Sequence, residues 1–149
     1  MKRLVSACLL GRDCRYDGRS KPASIVMEQV ERWRAAGDEV VALCPEELGG
    51  LGTPRPAAEL RGGDGAAFWQ GAARVLRVED GEDVSAAFRL GAERAAALGQ
   101  GAVEAVLKAR SPSCGCGVTE IDGEKRAGDG VFAALLRADG LRLRTDEEL

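Results

Sequence analysis

Histidine is absent from this 149-residue sequence. A metal site in the chain would therefore need other donors, and its five cysteines are the soft ligands available. Long apolar runs are absent too. The N-terminal stretch MKRLVSACLLGRDC has only a short apolar run before charged residues return, too short for a secretion signal or a membrane span. We expect a cytoplasmic protein with no membrane partner.

The sequence also lacks a block of basic residues. Its 21 lysines and arginines are scattered among 24 acidic residues, and the net charge is -3. Proteins that bind polynucleotides neutralise the phosphate backbone with clustered basic side chains, so we expect no polynucleotide partner, although a partner the size of a nucleobase stays open. An odd number of cysteines in a reducing compartment argues against a disulfide framework and favours free thiols or metal ligands.

The length and the hydrophobic content of 45% fit one domain over residues 1–149. Strand-like and helix-like segments alternate, which predicts a three-layer α/β/α, Rossmann-like open sheet that is mostly parallel. Strands are expected over Lys2–Ala7, Glu39–Leu43, Ala73–Val78, Val103–Ala109 and Leu141–Arg144, with a short hairpin or a loop over 118–126. Helices are expected over Pro22–Ala36, Asp83–Leu98 and Asp129–Ala138.

Segment 45–71 interrupts this alternation. It holds three of the five prolines and seven of the twenty glycines, and no clear periodicity. A long loop inside a compact domain is usually functional, or else it indicates a wrong assignment of elements. Because the segment starts directly after Cys44, we interpret it as a lid over a site; the alternative is a mobile surface loop without chemical consequence.

Three cysteines follow the three clearest strands. Cys8 comes after the first strand, Cys44 directly after the second, and Cys114 shortly after Val103–Ala109. In an open parallel sheet the carboxyl ends of the strands lie side by side, where such folds bind their ligands. Thiolates gathered there can hold zinc or an iron–sulfur cluster.

Polar residues accompany these thiols. Glu46 lies two residues beyond Cys44, and a carboxylate in a pocket can act as general acid or base. Ser111 and Ser113 precede Cys114 in the motif KARSPSCGCG, where their hydroxyl groups can orient a small polar ligand. Each of these residues taken alone is more often an ordinary loop or core residue. The prediction of a site depends on their expected position together at the carboxyl ends of the strands.

Three motifs in this order resemble the thiouracil desulfurase family: SACLLGRDCRYDG, CPEELGGLGTPRPAAE and KARSPSCG. The tail GDGVFAALLRADGLRL is similar to the closing helix and strand of that family, so the resemblance covers nearly the whole chain. It implies an enzyme that converts a thiolated nucleobase, such as 2-thiouracil, and water to the oxo form and hydrogen sulfide without net oxidation or reduction.

The resemblance further implies a [4Fe-4S] cluster held by three cysteines, with the fourth iron free to bind the sulfur of the substrate. The matching ligands are Cys8, Cys44 and Cys114. Glu46 would then be the acid/base, and Ser111 or Ser113 would position substrate or water. Cys14 matches a cysteine of the first motif as a neighbour of the ligands or an alternative ligand, whereas Cys116 is an addition to the basic motif.

Two other classes of function stay open from the residues alone. In one, the cysteines form a closed zinc site or a redox-active thiol group without desulfurase activity. The other is a noncatalytic nucleotide-binding module, which ranks last because the chain has neither a GxGxxG nor a GxxxxGK[ST] motif. The natural substrate and the oligomeric state are not predicted.

Overall fold

The computed structural model describes residues 1–149. Its central element is a four-stranded sheet, which we call sheet A, in the order β2-β1-β5-β8 with every neighbouring pair parallel. Its strands are β1 (Lys2–Ser6), β2 (Glu39–Leu43), β5 (Ala102–Leu107) and β8 (Arg142–Thr145). The predicted parallel α/β sheet is confirmed, with the last strand at its edge as expected.

Helices cover both faces of sheet A. Successive strand residues point to opposite faces, and here Leu4 and Val5 enter two different hydrophobic clusters. Val5 packs in the cluster that contains Val26, Val30 and Trp33 of helix α1 (Ser24–Ala35). Leu4 packs in the larger cluster, which includes buried residues of α4 (Ser85–Leu98) and α5 (Val131–Ala138). This is the three-layer α/β/α arrangement.

A second sheet, sheet B, lies outside this arrangement. Its order is β4-β3-β6-β7, and only the β3–β6 pair is parallel. The strands are β3 (Ala58–Arg61), β4 (Arg74–Arg77), β6 (Val118–Ile121) and β7 (Glu124–Ala127). The strand expected over Ala73–Val78 is therefore confirmed as β4, but it belongs to this second sheet. The expected hairpin is formed by β6 and β7.

The interpretation of segment 45–71 as one long loop is wrong. The segment contains helix α2 (Pro45–Leu48), strand β3 and helix α3 (Gly65–Trp69). Proline at the first position of α2 fits a helix start. Asp64 caps α3 by accepting a hydrogen bond from the amide of Ala67 at 3.0 Å. Irregular backbone remains mainly between α2 and β3, where the Thr53–Pro54 peptide bond is cis.

Helix α2 is held in place by a close backbone contact with α4. A methyl group built on Gly91 would collide with the carbonyl oxygen of Pro45, and one on Gly49 would collide with that of Ala87. The two helices pack this tightly only because neither contact position carries a side chain. The contact therefore sets the position of the first turn of α2, which contains Glu46.

We expect Gly91→Ala to lower the free energy of unfolding by about 1–3 kcal/mol, the usual cost of overpacking a well-packed contact. Urea denaturation measures the change. Glu93→Ala on the exposed side of the same helix is the control and should have little effect. Equal stability of Gly91→Ala and the parent protein would contradict a tight α2–α4 contact.

Candidate active site

A cleft of about 380 Å³ opens at the carboxyl ends of the sheet A strands. Strand β1 lies between β2 and β5, so the connection from β1 to β2 and the connection from β2 to β5 run in opposite directions along the sheet. Open α/β sheets usually bind their ligands at the carboxyl ends of the strands at such a point. The thiol cleft, as we call it, is lined by four of the five cysteines: Cys8, Cys14, Cys44 and Cys114. All cysteines of the chain are free thiols.

Each thiol reaches the cleft from a different local structure. Cys8 lies in a single 3-10 turn, Ala7–Leu10, that directly follows β1 and ends at Gly11. Cys44 is the residue between β2 and α2. Cys114 lies in a turn after β5 in which the Ser111 hydroxyl accepts hydrogen bonds from the amides of Ser113 (3.2 Å) and Cys114 (3.1 Å). The predicted convergence of Cys8, Cys44 and Cys114 in one pocket is thus present.

Cys14 is in direct contact with Cys44, although thirty positions separate them in the sequence. Its side chain is buried, and its carbonyl oxygen accepts a hydrogen bond from the thiol of Cys44 at a sulfur–oxygen distance of 3.6 Å. The ligand atoms of Cys14, Cys44 and Glu47 all lie within 4.8 Å of one another. Cys14 is therefore a direct neighbour of one proposed ligand.

Cys116 lies outside the thiol cleft. It is buried in the larger hydrophobic cluster, and its sulfur is 4.0 Å from a carboxylate oxygen of Glu148. Burial raises the pKa of this thiol to about 11, with neighbouring negative charge from Glu148 adding to the shift. Cys116 is a protonated core residue in this arrangement.

Three thiols of the cleft, those of Cys14, Cys44 and Cys114, have pKa values raised above that of a free cysteine. Burial raises the pKa of Cys114 to about 12, although hydrogen bonds from Ser6 and Ser113 act in the opposite direction. Hydrogen bonding with Cys14, followed by burial, raises the pKa of Cys44. For Cys14 the hydrogen bond with Cys44 lowers the pKa, but hydrogen bonding with Cys8 and burial outweigh it and raise the pKa to about 11. A metal that binds thiolates here must displace these protons.

Glu46 faces the thiol cleft and both of its carboxylate oxygens have partners. Oε1 lies 3.1 Å from Nε of Arg55, and Oε2 accepts a hydrogen bond from Oγ of Ser113 at 3.1 Å. Only 14% of the Glu46 side chain is exposed. Neighbouring Glu47 does not line the cleft and instead accepts hydrogen bonds from Thr53 and Arg12.

The two serines form a short chain of hydroxyl groups beside Glu46. Their Oγ atoms are 3.1 Å apart, and Ser113 Oγ is also 3.7 Å from the sulfur of Cys114. Ser113 is buried and connects the carboxylate to a thiol, whereas Ser111 also holds the turn through its two backbone bonds. The six predicted site residues, Cys8, Cys44, Glu46, Ser111, Ser113 and Cys114, all line the thiol cleft.

Among the cleft residues that were not singled out from the sequence, Ser6 and Arg55 make contacts that shape the site. Ser6, the last residue of β1, accepts a hydrogen bond from the amide of Lys108 at 2.9 Å and so joins the ends of two strands. Arg55 is the buried partner of Glu46. No local sequence pattern predicts this contact of Arg55, which lies nine positions after Glu46 in the chain. The position of Ser6 two residues before Cys8 was the one available signal for the serine.

Comparisons with known proteins identify similar sequences and a similar fold. A family model described as 2-thiouracil desulfurase matches residues 4–148. An uncharacterized protein, YbbK of Bacillus subtilis (strain 168), is 38% identical over 151 residues, covering 98% of this chain and 96% of that relative. A solved structure described as the [4Fe-4S]-dependent thiouracil desulfidase TudS is similar with a TM-score of 0.80 and 43% identity, covering 99% of this chain and 92% of that one.

Proposed function

This chain belongs to the 2-thiouracil desulfurase family, and we infer from that premise that it is a [4Fe-4S]-dependent enzyme that removes sulfur from thiouracil. The reaction exchanges a C=S group and water for a C=O group and hydrogen sulfide, so no electrons are gained or lost. The observation that carries the proposal is the thiol cleft itself, in which soft ligands, a carboxylate and two hydroxyl groups line one cavity.

The donor set of the thiol cleft fits an iron–sulfur cluster. Such clusters are held by cysteine thiolates, and the cleft offers four thiols while the chain has no histidine. We propose that Cys8, Cys44 and Cys114, which follow three adjacent parallel strands, hold the cluster. Three protein ligands leave one iron open to a substrate, as three ligands do in catalytic zinc sites.

When bound in this way, the cluster supplies a soft Lewis acid that polarises the carbon–sulfur bond of a thiocarbonyl group. The protein's own contribution is the proton chemistry. Glu46 would take a proton from the water that attacks the carbon. Its position supports this role, because Glu46 lines the cleft and its Oε2 accepts a hydrogen bond from Ser113 there. Ser113 and Ser111 can hold that water or the polar edge of the pyrimidine.

We propose that two irregular segments cover this chemistry: the backbone between α2 and β3, and the N-terminal loop, residues 11–23, which precedes α1. The amide of Arg55 donates a hydrogen bond to the carbonyl of Tyr16 at 2.7 Å, so the two loops are joined. Arg55, Ala57 and Ala58 line the cleft from this side and Tyr16 from the other. Excluding bulk water strengthens the electrostatic contacts within the site.

The proposal is tested by reconstituting the protein with iron and sulfide without oxygen, and then assaying hydrogen sulfide release from 2-thiouracil and 4-thiouracil. We expect sulfide and the matching oxo base in equal amounts, and no turnover by the protein before reconstitution. Protein that has gained a cluster yet releases sulfide from neither compound would contradict the proposed function.

One observation favours a second candidate, a zinc site. Cys14, Cys44 and Glu47 hold their ligand atoms within 4.8 Å of one another, and thiolates with a carboxylate are ordinary zinc ligands. Zinc would leave the protein colourless, whereas an iron–sulfur cluster makes it brown. The metal content of protein purified without oxygen separates the two candidates.

Cys14→Ser tests the ligand set directly. We expect this variant to keep the iron and the acid-labile sulfide of the parent protein after reconstitution, because the proposed ligands are Cys8, Cys44 and Cys114. Iron and sulfide determination per chain measures it. Loss of the cluster in Cys14→Ser would place Cys14 among the ligands and contradict the assignment.

None of the helices is long and apolar enough to cross a bilayer. A location in the cytoplasm and the lack of a polynucleotide partner stay predictions from the sequence. The thiol cleft gives some support to a partner of nucleobase size, because its volume lies near the lower end of the usual range for small-molecule sites, about 300–1,000 Å³.

A further inference from the structure

Arg55 is a buried cation at the thiol cleft. Only 6% of its side chain is exposed, and it lies in irregular backbone between Pro54 and Pro56. Removing an arginine from water is costly unless its donors are paired. The surroundings of Arg55 meet this condition, because all three guanidinium nitrogens make hydrogen bonds.

The partners of Arg55 come from three separate segments. At a distance of 3.1 Å, Nε donates to Oε1 of Glu46, which lies in helix α2. At 3.0 Å, Nη2 donates to the carbonyl oxygen of Cys14, which lies in the N-terminal loop. Nη1 donates to the carbonyl of Gly52 at 3.2 Å and to the hydroxyl of Thr53 at 3.1 Å. One planar group thus joins α2, the N-terminal loop and the backbone after α2.

These contacts determine the orientation of the Glu46 carboxylate. Arg55 holds Oε1, so the carboxylate can rotate only by breaking an ion pair, and Oε2 is left directed toward Ser113 and the cleft. A carboxylate acts efficiently as a base only if the accepting oxygen is already aimed at the proton. The planar fork of arginine provides this geometry, whereas the ammonium group of lysine is a single point of contact.

We propose that Arg55 is a positioning residue for Glu46, which fixes one carboxylate oxygen so that the other faces the reacting water. The inference rests on the proposed role of Glu46 as the base. Four of the five N–H donors of Arg55 are paired with protein acceptors, which favours a role through the carboxylate over direct binding of thiouracil. The neighbouring ion pair between exposed Arg12 and half-buried Glu47 has no such role, since neither residue lines the thiol cleft.

The experiment compares Arg55→Ala, Arg55→Lys, Glu46→Ala and the double variant Glu46→Ala/Arg55→Ala, each reconstituted without oxygen. We expect Arg55→Ala to lower kcat about 10- to 100-fold, the usual effect of losing an orienting partner, with KM for 2-thiouracil changed less than threefold. Arg55→Lys should recover part of kcat because it keeps the charge but not the fork. Iron content per chain should equal that of the parent protein in all four variants.

The double variant tests directly whether Arg55 acts through Glu46. If Arg55 acts only through Glu46, adding Arg55→Ala to Glu46→Ala changes kcat less than twofold, because residues that act as a unit are not additive. Arg12→Ala is the matched control and should leave kcat and KM unchanged. If Arg55→Ala does not fold, the kcat loss of Arg55→Lys and the double variant Glu46→Ala/Arg55→Lys serve the same purpose.

Three results would overturn the proposal. The first is a rise in KM with kcat unchanged in Arg55→Ala, which would indicate substrate binding. The second is an additive further loss of kcat in the double variant, and the third is full activity of Arg55→Ala. Failure of the proposed role of Glu46 is distinguished from these results by the Glu46→Ala variant. If Glu46→Ala itself turns over at the parental rate, Glu46 is not the base, whereas an inactive Glu46→Ala with a fully active Arg55→Ala removes only the role of Arg55.

Discussion

Replacing Cys8, Cys44 or Cys114 by serine is expected to abolish retention of the [4Fe-4S] cluster and, with it, all turnover. An iron–sulfur cluster needs soft thiolate ligands, and serine offers a harder oxygen that is protonated at neutral pH. With three protein ligands and no spare one in the proposed set, each substitution leaves too few. Iron and acid-labile sulfide per chain, measured after anaerobic reconstitution, report the loss.

Cys116→Ser is the matched control for these three variants. Cys116 is buried in the larger hydrophobic cluster and does not line the thiol cleft, so its substitution should leave the cluster content unchanged. A small loss of stability is expected, because a hydroxyl group replaces a sulfur in an apolar site. A Cys116→Ser protein without a cluster, or a Cys114→Ser protein that keeps one, would mean that the third ligand has been misassigned.

The second large effect is expected at Glu46. Glu46→Ala should retain the brown colour and the iron content of the parent protein, while kcat falls by about 10²- to 10⁴-fold, the range that a positioned general base contributes. The reason is that Glu46 contributes a proton acceptor at the cleft and is not a proposed cluster ligand. Hydrogen sulfide release from 2-thiouracil at saturating substrate measures the change.

Glu46→Gln separates proton transfer from structure. The amide has nearly the same shape, and its single oxygen can still accept the hydrogen bond from Arg55, while its NH2 group would then face Ser113 as a donor. It does not take up a proton from water. We expect Glu46→Gln to be about as inactive as Glu46→Ala, with the same cluster content and greater stability. Desulfuration by either variant at the parental rate would show that another group takes the proton.

Much of the fold could be predicted because its elements have strong local signals. The helices α1, α4 and α5 are amphipathic or small-residue segments with apolar positions at helical spacing, and β2 matches its predicted bounds of Glu39–Leu43. Sheet B could not be foreseen. Strand β3 has only four residues, lies in a segment rich in glycine and proline, and pairs with β6 about sixty residues further along the chain. Pairing over such a distance leaves no local pattern.

The candidate site divides in the same way. The positions of Cys8 and Cys44 after strands were enough to predict that both residues line one cleft. The structure agrees, since β1 and β2 are paired with Ser6 opposite Leu43 at their ends. The role of Arg55 was not predictable, because it depends on hydrogen bonds to partners in three segments of the chain. The exclusion of Cys116 from the cleft likewise depends on how the turn after Cys114 packs against α5.

By itself, the sequence determined the chemistry that is available: five soft thiols without histidine, placed so that parallel strands deliver three of them to one edge. Residue type and strand order are properties of the chain, so they can be read along it. Only the tertiary structure decided which cation holds the predicted carboxylate, Glu46. Glu46 and Arg55 meet through the packing of α2 on α4 and the path of the backbone after α2, and such contacts depend on steric fit between distant segments.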